Sequence, residues 1–457
     1  MPFCLLRRLL SLTQAYGNFD MTITQSLQER ARGRIPGMTQ LLSKRPDMFS
    51  LGVWPAYYSR AKGSTVWDAD GKEYLDMSIG GIGACVLGYA DDEVDEAVVR
   101  TIRNGVASSL NCPEEVELAE LLCELHPWAD MVRFARSGGE ALAMAVRLAR
   151  AYTERDVVAF CGYHGWMDWY LAANLSEDKA LDGHHLPGLA PAGVPRGLTG
   201  TAFPFRYNHA EDLERIVTEH GARLAAVVME PTRSELPIPG FIERVRQLAD
   251  QSGAVLIMDE ISAGLRYCTG GAHLVLHPTS PDIAVFSKAL GNGYAMSAVI
   301  GKRFVMEAAQ KTFISSTNWT ERVGPTAALA TLRKHGREKA HEQFLRQGKQ
   351  ILQGWKDIGT RHGFTMHVDG MEAMGHFSFE TQDFLSYKAY FIQLMLEQGI
   401  LASNLCYLML AHTDAHVSRY LSACDAAFAK MAEARDAGDL ASRLAGNPAG
   451  SGFKRIA

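Results

Sequence analysis

Long apolar runs are missing from this chain. No segment approaches the ~18 consecutive apolar residues that a membrane-crossing helix needs, so no helical membrane span is expected. Cysteine is scarce: eight residues in 457, with no CxxC pair and no His/Cys spacing suited to a metal. Thiols used so sparingly are expected to be buried and reduced, which points to the cytoplasm, with no metal centre. A dominant charge is lacking too. The 46 Lys+Arg against 51 Asp+Glu leave a formal charge of −5, too mild to attract nucleic acid or an anionic membrane. Disorder is excluded as the main state by 47% apolar and 21% charged residues. Glycine is plentiful instead: 42 residues, gathered in clusters where a backbone turns tightly or approaches a ligand.

The first twenty residues, MPFCLLRRLLSLTQAYGNFD, set Arg7 and Arg8 between two short apolar runs. A secretory signal carries its charge first and then an unbroken apolar stretch, so this order does not fit one. A disordered extension over 1–20 is the expectation, a weak transit peptide the alternative.

Residues 21–110 mix a helix with short strands. TVWDADGKEYLDM (65–77) reads as a hairpin turning at Asp70-Gly71, and Glu93 to Ile102 reads as a helix. The stretch 111–325 alternates apolar strand candidates (131–135, 157–160, 224–229, 254–258, 283–286, 297–301) with helical patterns at 140–152 and 241–253, the second stopping at Gly253. Continuous apolar strands separated by helices indicate a mostly parallel sheet covered on both faces, with ligands beyond the carboxyl ends of the strands. A long helical region is expected over 325–360, then mixed elements to 435 and a flexible tail over 436–457. The organisation is therefore a large domain (111–325) with a smaller lobe built from 21–110 and 326–435.

Four features fall at strand ends. Arg136-Ser137-Gly138-Gly139-Glu140 leads from a strand into a helix, where free backbone N–H groups and the helix dipole suit a phosphate. Gly162-Tyr163-His164-Gly165 sets an aromatic ring between glycines, able to lie over a planar ligand or simply to cap the sheet. Asp259 closes AVLIM-D, where a half-desolvated carboxylate needs a protonated partner, a metal or a helix N-terminus. Ser287-Lys288 closes IAVF before Gly291-Asn292-Gly293. Desolvation of such a lysine favours the nucleophilic free amine, which forms imines with carbonyls.

An imine-forming lysine, a ring-nitrogen carboxylate, a stacking aromatic and a phosphate turn are together what pyridoxal 5'-phosphate requires. The order RSGGEA, YHG, MDEISAG and SKALGNG resembles the class III, fold-type I aminotransferases, and most closely their glutamate-1-semialdehyde aminomutase-like branch. The resemblance runs from about Arg34 to Lys430 and takes in GSTVWDADGKEYLDM and ILASNLCYLMLAHTDAHV. It implies the PLP-dependent transferase fold of type I, a large α/β domain with helices on both faces of a mostly parallel sheet, plus a smaller α+β lobe. It implies that Lys288 holds the internal aldimine and shuttles protons, that Asp259 pairs with the pyridine nitrogen, that Tyr163 stacks on the ring, and that Ser137, Gly138 and Gly139 hold the phosphate. Thr320 matches the position that reaches the neighbouring subunit's phosphate, so a homodimer follows; Glu230 matches an acidic residue near the ring edge.

Departures bear on the substrate. The family's phosphate turn usually reads SGTEA, and Gly139 removes that hydroxyl; Ala263 in DEISAG replaces the usual Thr. The amino-terminal arginine that clamps a carboxylate in the aminomutase pattern is Lys44 here, a poorer clamp or simply a surface lysine. Arg233, after Glu230-Pro231, is a further candidate anion anchor. Trp166, Trp169 and Tyr170, before a Gly/Pro-rich stretch (183–200), form either an aromatic lid or ordinary packing; His184-His185 lack a second ligand pattern. The expected activity is transfer of an amino group from an amine or amino acid to an aldehyde or ketone, with an intramolecular aminomutase and a catalytically silent scaffold as alternatives.

Overall fold

The computed structural model describes residues 21–177, 179–181, 188, 190–232 and 234–451. Arg233, the His184-His185 pair and the extension 1–20 lie outside the described residues, as do residues 183–187 and 189 of the stretch 183–200.

Among the described residues, fourteen strands lie in three sheets. β1 (Tyr58–Lys62), β2 (Thr65–Asp68) and β3 (Glu73–Asp76) come first. Then follow β4 (Met131–Ala135), β5 (Val157–Cys161), β6 (Ala202–Pro204), β7 (Leu224–Met229), β8 (Val255–Asp259), β9 (Ile283–Phe286) and β10 (Ser297–Gly301). β11 (Met366–Met371), β12 (Met374–Phe379), β13 (Ile400–Leu401) and β14 (Leu405–Tyr407) complete the set. The central sheet has the order β4-β10-β9-β8-β7-β5-β6. β5, β6, β7, β8 and β9 pair in parallel, whereas β10 runs antiparallel to β4 and β9. The mostly parallel sheet is as expected. Every residue of β5, β7, β8 and β9 is buried, which explains their unbroken Val/Ala/Ile/Leu/Met character: helices cover both faces, so neither face can alternate with polar residues.

The sheet's covering helices follow from the sequence pattern. Gly138–Thr153 buries Leu142, Ala145, Val146 and Ala149 against it. Phe241–Ser252 ends at Gly253, whose φ of 68° lets its N–H turn back to Ala249. β6 gave no sequence signal, having three residues and a proline; Pro204 is tolerated because β6 is an edge strand.

The hairpin at 65–77 forms as expected, with Thr65 opposite Leu75 and Trp67 opposite Glu73. Asp68 Oδ1 accepts the N–H groups of Asp70 and Lys72 and so fixes its turn. This hairpin belongs to a four-stranded sheet, β1-β2-β3-β13, which joins residues near 60–76 to Ile400 and Leu401. The helical region at 325–360 is two helices, Val323–Arg337 and Ala340–Arg361, divided where Lys339 adopts φ 50°.

The expectation of a flexible tail over 436–457 needs correction for its described part. Asp414–Ala437 is capped by Gly438, a short helix spans Leu440–Arg443, and Ala449 is buried. Ala449 N donates to Leu385 O and Gly450 N to Asp47 O, so the segment is docked by its backbone, which composition does not reveal. No described helix is long and apolar enough to cross a membrane.

Candidate active site

Strand direction brings the chemistry to one edge. β5, β7, β8 and β9 are neighbours pointing the same way, and β4 is parallel to them because β10 is antiparallel to both β4 and β9. The residues at or just after their carboxyl ends therefore share one rim: Arg136-Ser137, Gly162-Tyr163-His164, Glu230, Asp259 and Ser287-Lys288.

Asp259 is the last residue of β8 and buried. Its Oδ1 accepts the N–H of Ile261 at 3.0 Å, and its Oδ2 lies 2.7 Å from Nδ1 of the buried His164. That histidine is the main site residue the sequence reading left without a role; its signal was its place in the strand-end turn facing the strand of Asp259. His164 fixes which way the carboxylate points. The next residue, Glu260, turns the other way: it accepts the backbone N–H groups of Ala272 and His273 and the His273 ring at 2.6 Å. Burial raises its pKa, but those donors outweigh it and hold the carboxyl below its usual range.

Lys288 follows β9 in a left-handed conformation, φ 44°, rare for a residue with a side chain and worth ~1–3 kcal/mol of local strain. Its Nζ donates to Ser262 Oγ at 2.6 Å. Desolvation pushes the amine below its ordinary range, against the opposing pull of Asp259 and Glu230 and with help from Arg266. The glycine-rich turn behind it is tied down by Asn292, whose side chain accepts from Leu87 N and donates to Gly88 O.

Glu230 Oε2 accepts the Tyr163 N–H at 3.2 Å. A Cβ on the intervening Gly162, at φ 131°, would sit 2.5 Å from that oxygen, so glycine is required there on two counts. Burial, then Asp259, raises the Tyr163 hydroxyl's pKa, keeping it protonated. Its ring meets Tyr170 edge-on at 6.1 Å.

At the start of Gly138–Thr153, Ser137 and Glu140 form a reciprocal capping box. As first residues of that helix, Gly138 and Gly139 have no intrahelical acceptor for their N–H groups. A Cβ at Gly139 would meet Met167 Cε at 3.6 Å and Trp166 Nε1 at 3.8 Å, so the position is lined by these two side chains. Thr320 is exposed, its hydroxyl donating to Thr317 O. Lys44 is exposed at the end of a short turn; neighbouring Arg45 is buried and paired with Asp47. Among the described residues no group of His, Cys, Asp and Glu is placed to hold a metal ion.

The chain's sequence matches the profile of the family described as aminotransferase class-III over residues 50–428. The chain belongs to the class-III aminotransferases. It is similar to the 3-aminobutyryl-CoA aminotransferase of Cloacimonas acidaminovorans (strain Evry), at 30% identity over 407 residues, 86% of this chain and 93% of that one. Among solved structures it is similar to the FumI protein of Sphingopyxis sp. MTA144 in its PLP internal aldimine form, at 26% identity and a TM-score of 0.80, covering 93% of this chain and 98% of that one. An omega-transaminase from Sphaerobacter thermophilus is likewise similar, at 28% identity and a TM-score of 0.80, covering 91% and 98%.

This class-III aminotransferase has the fold of the type I PLP enzymes and uses pyridoxal 5'-phosphate. The donor set fits that cofactor. A desolvated amine suits its aldehyde, and a fixed buried carboxylate suits a ring nitrogen that carries a proton. Unsatisfied helix-end N–H groups suit a phosphate.

Proposed function

We propose that this aminotransferase carries its reaction on Lys288, with Asp259 as partner of the cofactor's ring nitrogen. Tyr163 is the stacking aromatic, Glu230 the acid at the ring edge, and Ser137, Gly138 and Gly139 the phosphate turn. The observation that carries the reading is the convergence of a desolvated Lys288 and a His164-braced Asp259 on one sheet edge. When bound, the cofactor acts as an electron sink for the bond broken at the substrate carbon. Lys288 Nζ would hold the cofactor between turnovers and would carry a proton at the substrate carbon. Asp259 keeps the ring nitrogen protonated, and His164 keeps Asp259 aimed.

For the substrate, we infer an amine borne on a carbon that has no carboxylate of its own, and an aldehyde or ketone acceptor. The exposed Lys44, standing where the aminomutase pattern has an arginine clamp, supports this, as do the names of the relatives: a 3-aminobutyryl thioester and the substrates of an omega-transaminase carry their amines away from an α-carboxylate. The same evidence favours transfer between two molecules over the aminomutase reading. Single-turnover spectra with a panel of amines test it. Terminal and β-amines are expected to discharge the cofactor's visible band faster than α-amino acids; discharge by α-amino acids alone would overturn it.

We further propose a homodimer. A depression of about 980 Å³ beside the phosphate turn is lined by Trp166, Phe313 and Trp319, next to Thr320, and Phe313 is 95% exposed. The exposed rings of Trp166 and Phe313 suit burial against a second copy of the chain, and that copy would bring Thr320 to the opposite phosphate turn. The seven described cysteines are unpaired, which supports a cytoplasmic, reducing setting.

A further inference from the structure

Ser262 lies in the segment after β8 that also carries Asp259. Its side chain makes one described hydrogen bond, as acceptor from Lys288 Nζ at 2.6 Å. The geometry around it is fixed from both sides. Asp259 Oδ1 caps the N–H of Ile261, one residue before. The backbone of Gly264 is tied back to Glu260 O. Arg266, fully buried a turn later, donates to Gly83 O, joining the segment to the amino-terminal part of the chain. Ser262 Oγ is thus held still while Lys288 has a long, flexible stem.

A free lysine amine must be available when the cofactor is first captured and again each time product leaves. A four-carbon chain loses up to ~2 kcal/mol of rotamer freedom when fixed in one place. A hydroxyl at hydrogen-bonding distance restricts that search. It can accept from the amine while leaving the nitrogen lone pair uncommitted, because a neutral amine donates through N–H and attacks through its lone pair. A carboxylate in the same place would hold the amine as an ammonium ion and block attack.

We propose that Ser262 is a positioning residue for the catalytic amine, holding Lys288 Nζ at the rim whenever the lysine is not bonded to the cofactor. The proposal rests on the assignment of Lys288 made above. The charged groups that act on Lys288 are Asp259, Glu230 and Arg266. None of the three is itself altered by a substitution at Ser262, so the hydroxyl's effect can be read separately. Because a hydroxyl acceptor favours the ammonium form over the amine, removing it makes the amine easier to deprotonate.

The test uses the full-length protein without cofactor. The rate of Lys288 modification by fluorodinitrobenzene is followed against pH by peptide mass, for the wild type, S262A and S262T. S262A is expected to shift the inflection down by about one pH unit, and S262T to restore it. Cofactor recapture by S262A should also slow about tenfold, with the thermal midpoint unchanged. A superimposable pH curve and an unchanged recapture rate for S262A would overturn the proposal; if S262A does not fold, S262C, whose thiol is a weak acceptor, replaces it with the same expected shift. Failure of the Lys288 assignment would look different. Borohydride reduction of the wild type with pyridoxal phosphate would then tag another residue.

Discussion

His164 Nδ1 lies 2.7 Å from Asp259 Oδ2, both side chains shut off from solvent. The contact links the turn after β5 to the end of β8, across the intervening β7. It converts a carboxylate that could rotate into one with a single direction. His164→Gln should therefore keep the visible band of the lysine-bound cofactor and lower kcat about 10-fold to 100-fold, the scale seen when the partner that orients an active group is removed. Asp259→Asn should cost more, because it removes the charge as well as its direction. Equal activity in His164→Gln and the wild type would contradict this role.

Gly162→Ala is expected to destabilise the protein by about 1–3 kcal/mol and to weaken cofactor retention. The added methyl meets Glu230 Oε2, and the φ of 131° is hostile to any side chain. Chemical denaturation with urea, with and without pyridoxal phosphate, measures both effects.

Acid should unfold this protein early. Burial pulls His126, His335 and His412 down to about 4, and each already spends its ring nitrogens on neighbours such as Leu122 O, Leu265 O and Asp76 O. Between the unfolded value of ~6.5 and about 4 the unfolded chain binds protons that the folded chain refuses. Stability is thus full above the upper limit and falls as pH drops through this window. The thermal midpoint should decline steeply from pH ~6.5 to ~4; a flat profile there would show that these rings are not neutral in the fold.

Phe313→Asp should yield a monomer by light scattering, with phosphate-dependent cofactor retention lost alongside dimerisation. Thr320→Ala should weaken retention without changing the mass. A Phe313→Asp protein that remains dimeric would remove the basis for the proposed subunit contact.

Most of the scaffold was legible because it obeys repeating rules. The buried strands are unbroken apolar runs, the helices show one apolar face, and Asp70-Gly71 turns a hairpin where such a pair should. The strand-end positions of Asp259, Lys288 and Tyr163 followed from the same alternation. What stayed hidden depends on contacts between distant segments. His164 and Asp259 are 95 residues apart, and Lys288 and Ser262 are 26 apart. No periodicity encodes either meeting. The tail failed for a related reason: Ala449 and Gly450 dock through backbone hydrogen bonds, to which composition is blind.

Everything proposed for this aminotransferase turns on Lys288 as the residue that holds the cofactor and moves the amino group. Lys288→Ala, purified with pyridoxal phosphate, tests it most directly by visible absorbance and amine turnover measured on the same sample. In this variant the lysine-imine band should disappear, the cofactor should be removed by gel filtration after borohydride treatment, and turnover should fall to background. A variant that keeps the band and turns over amines at a rate near that of the wild type would contradict it.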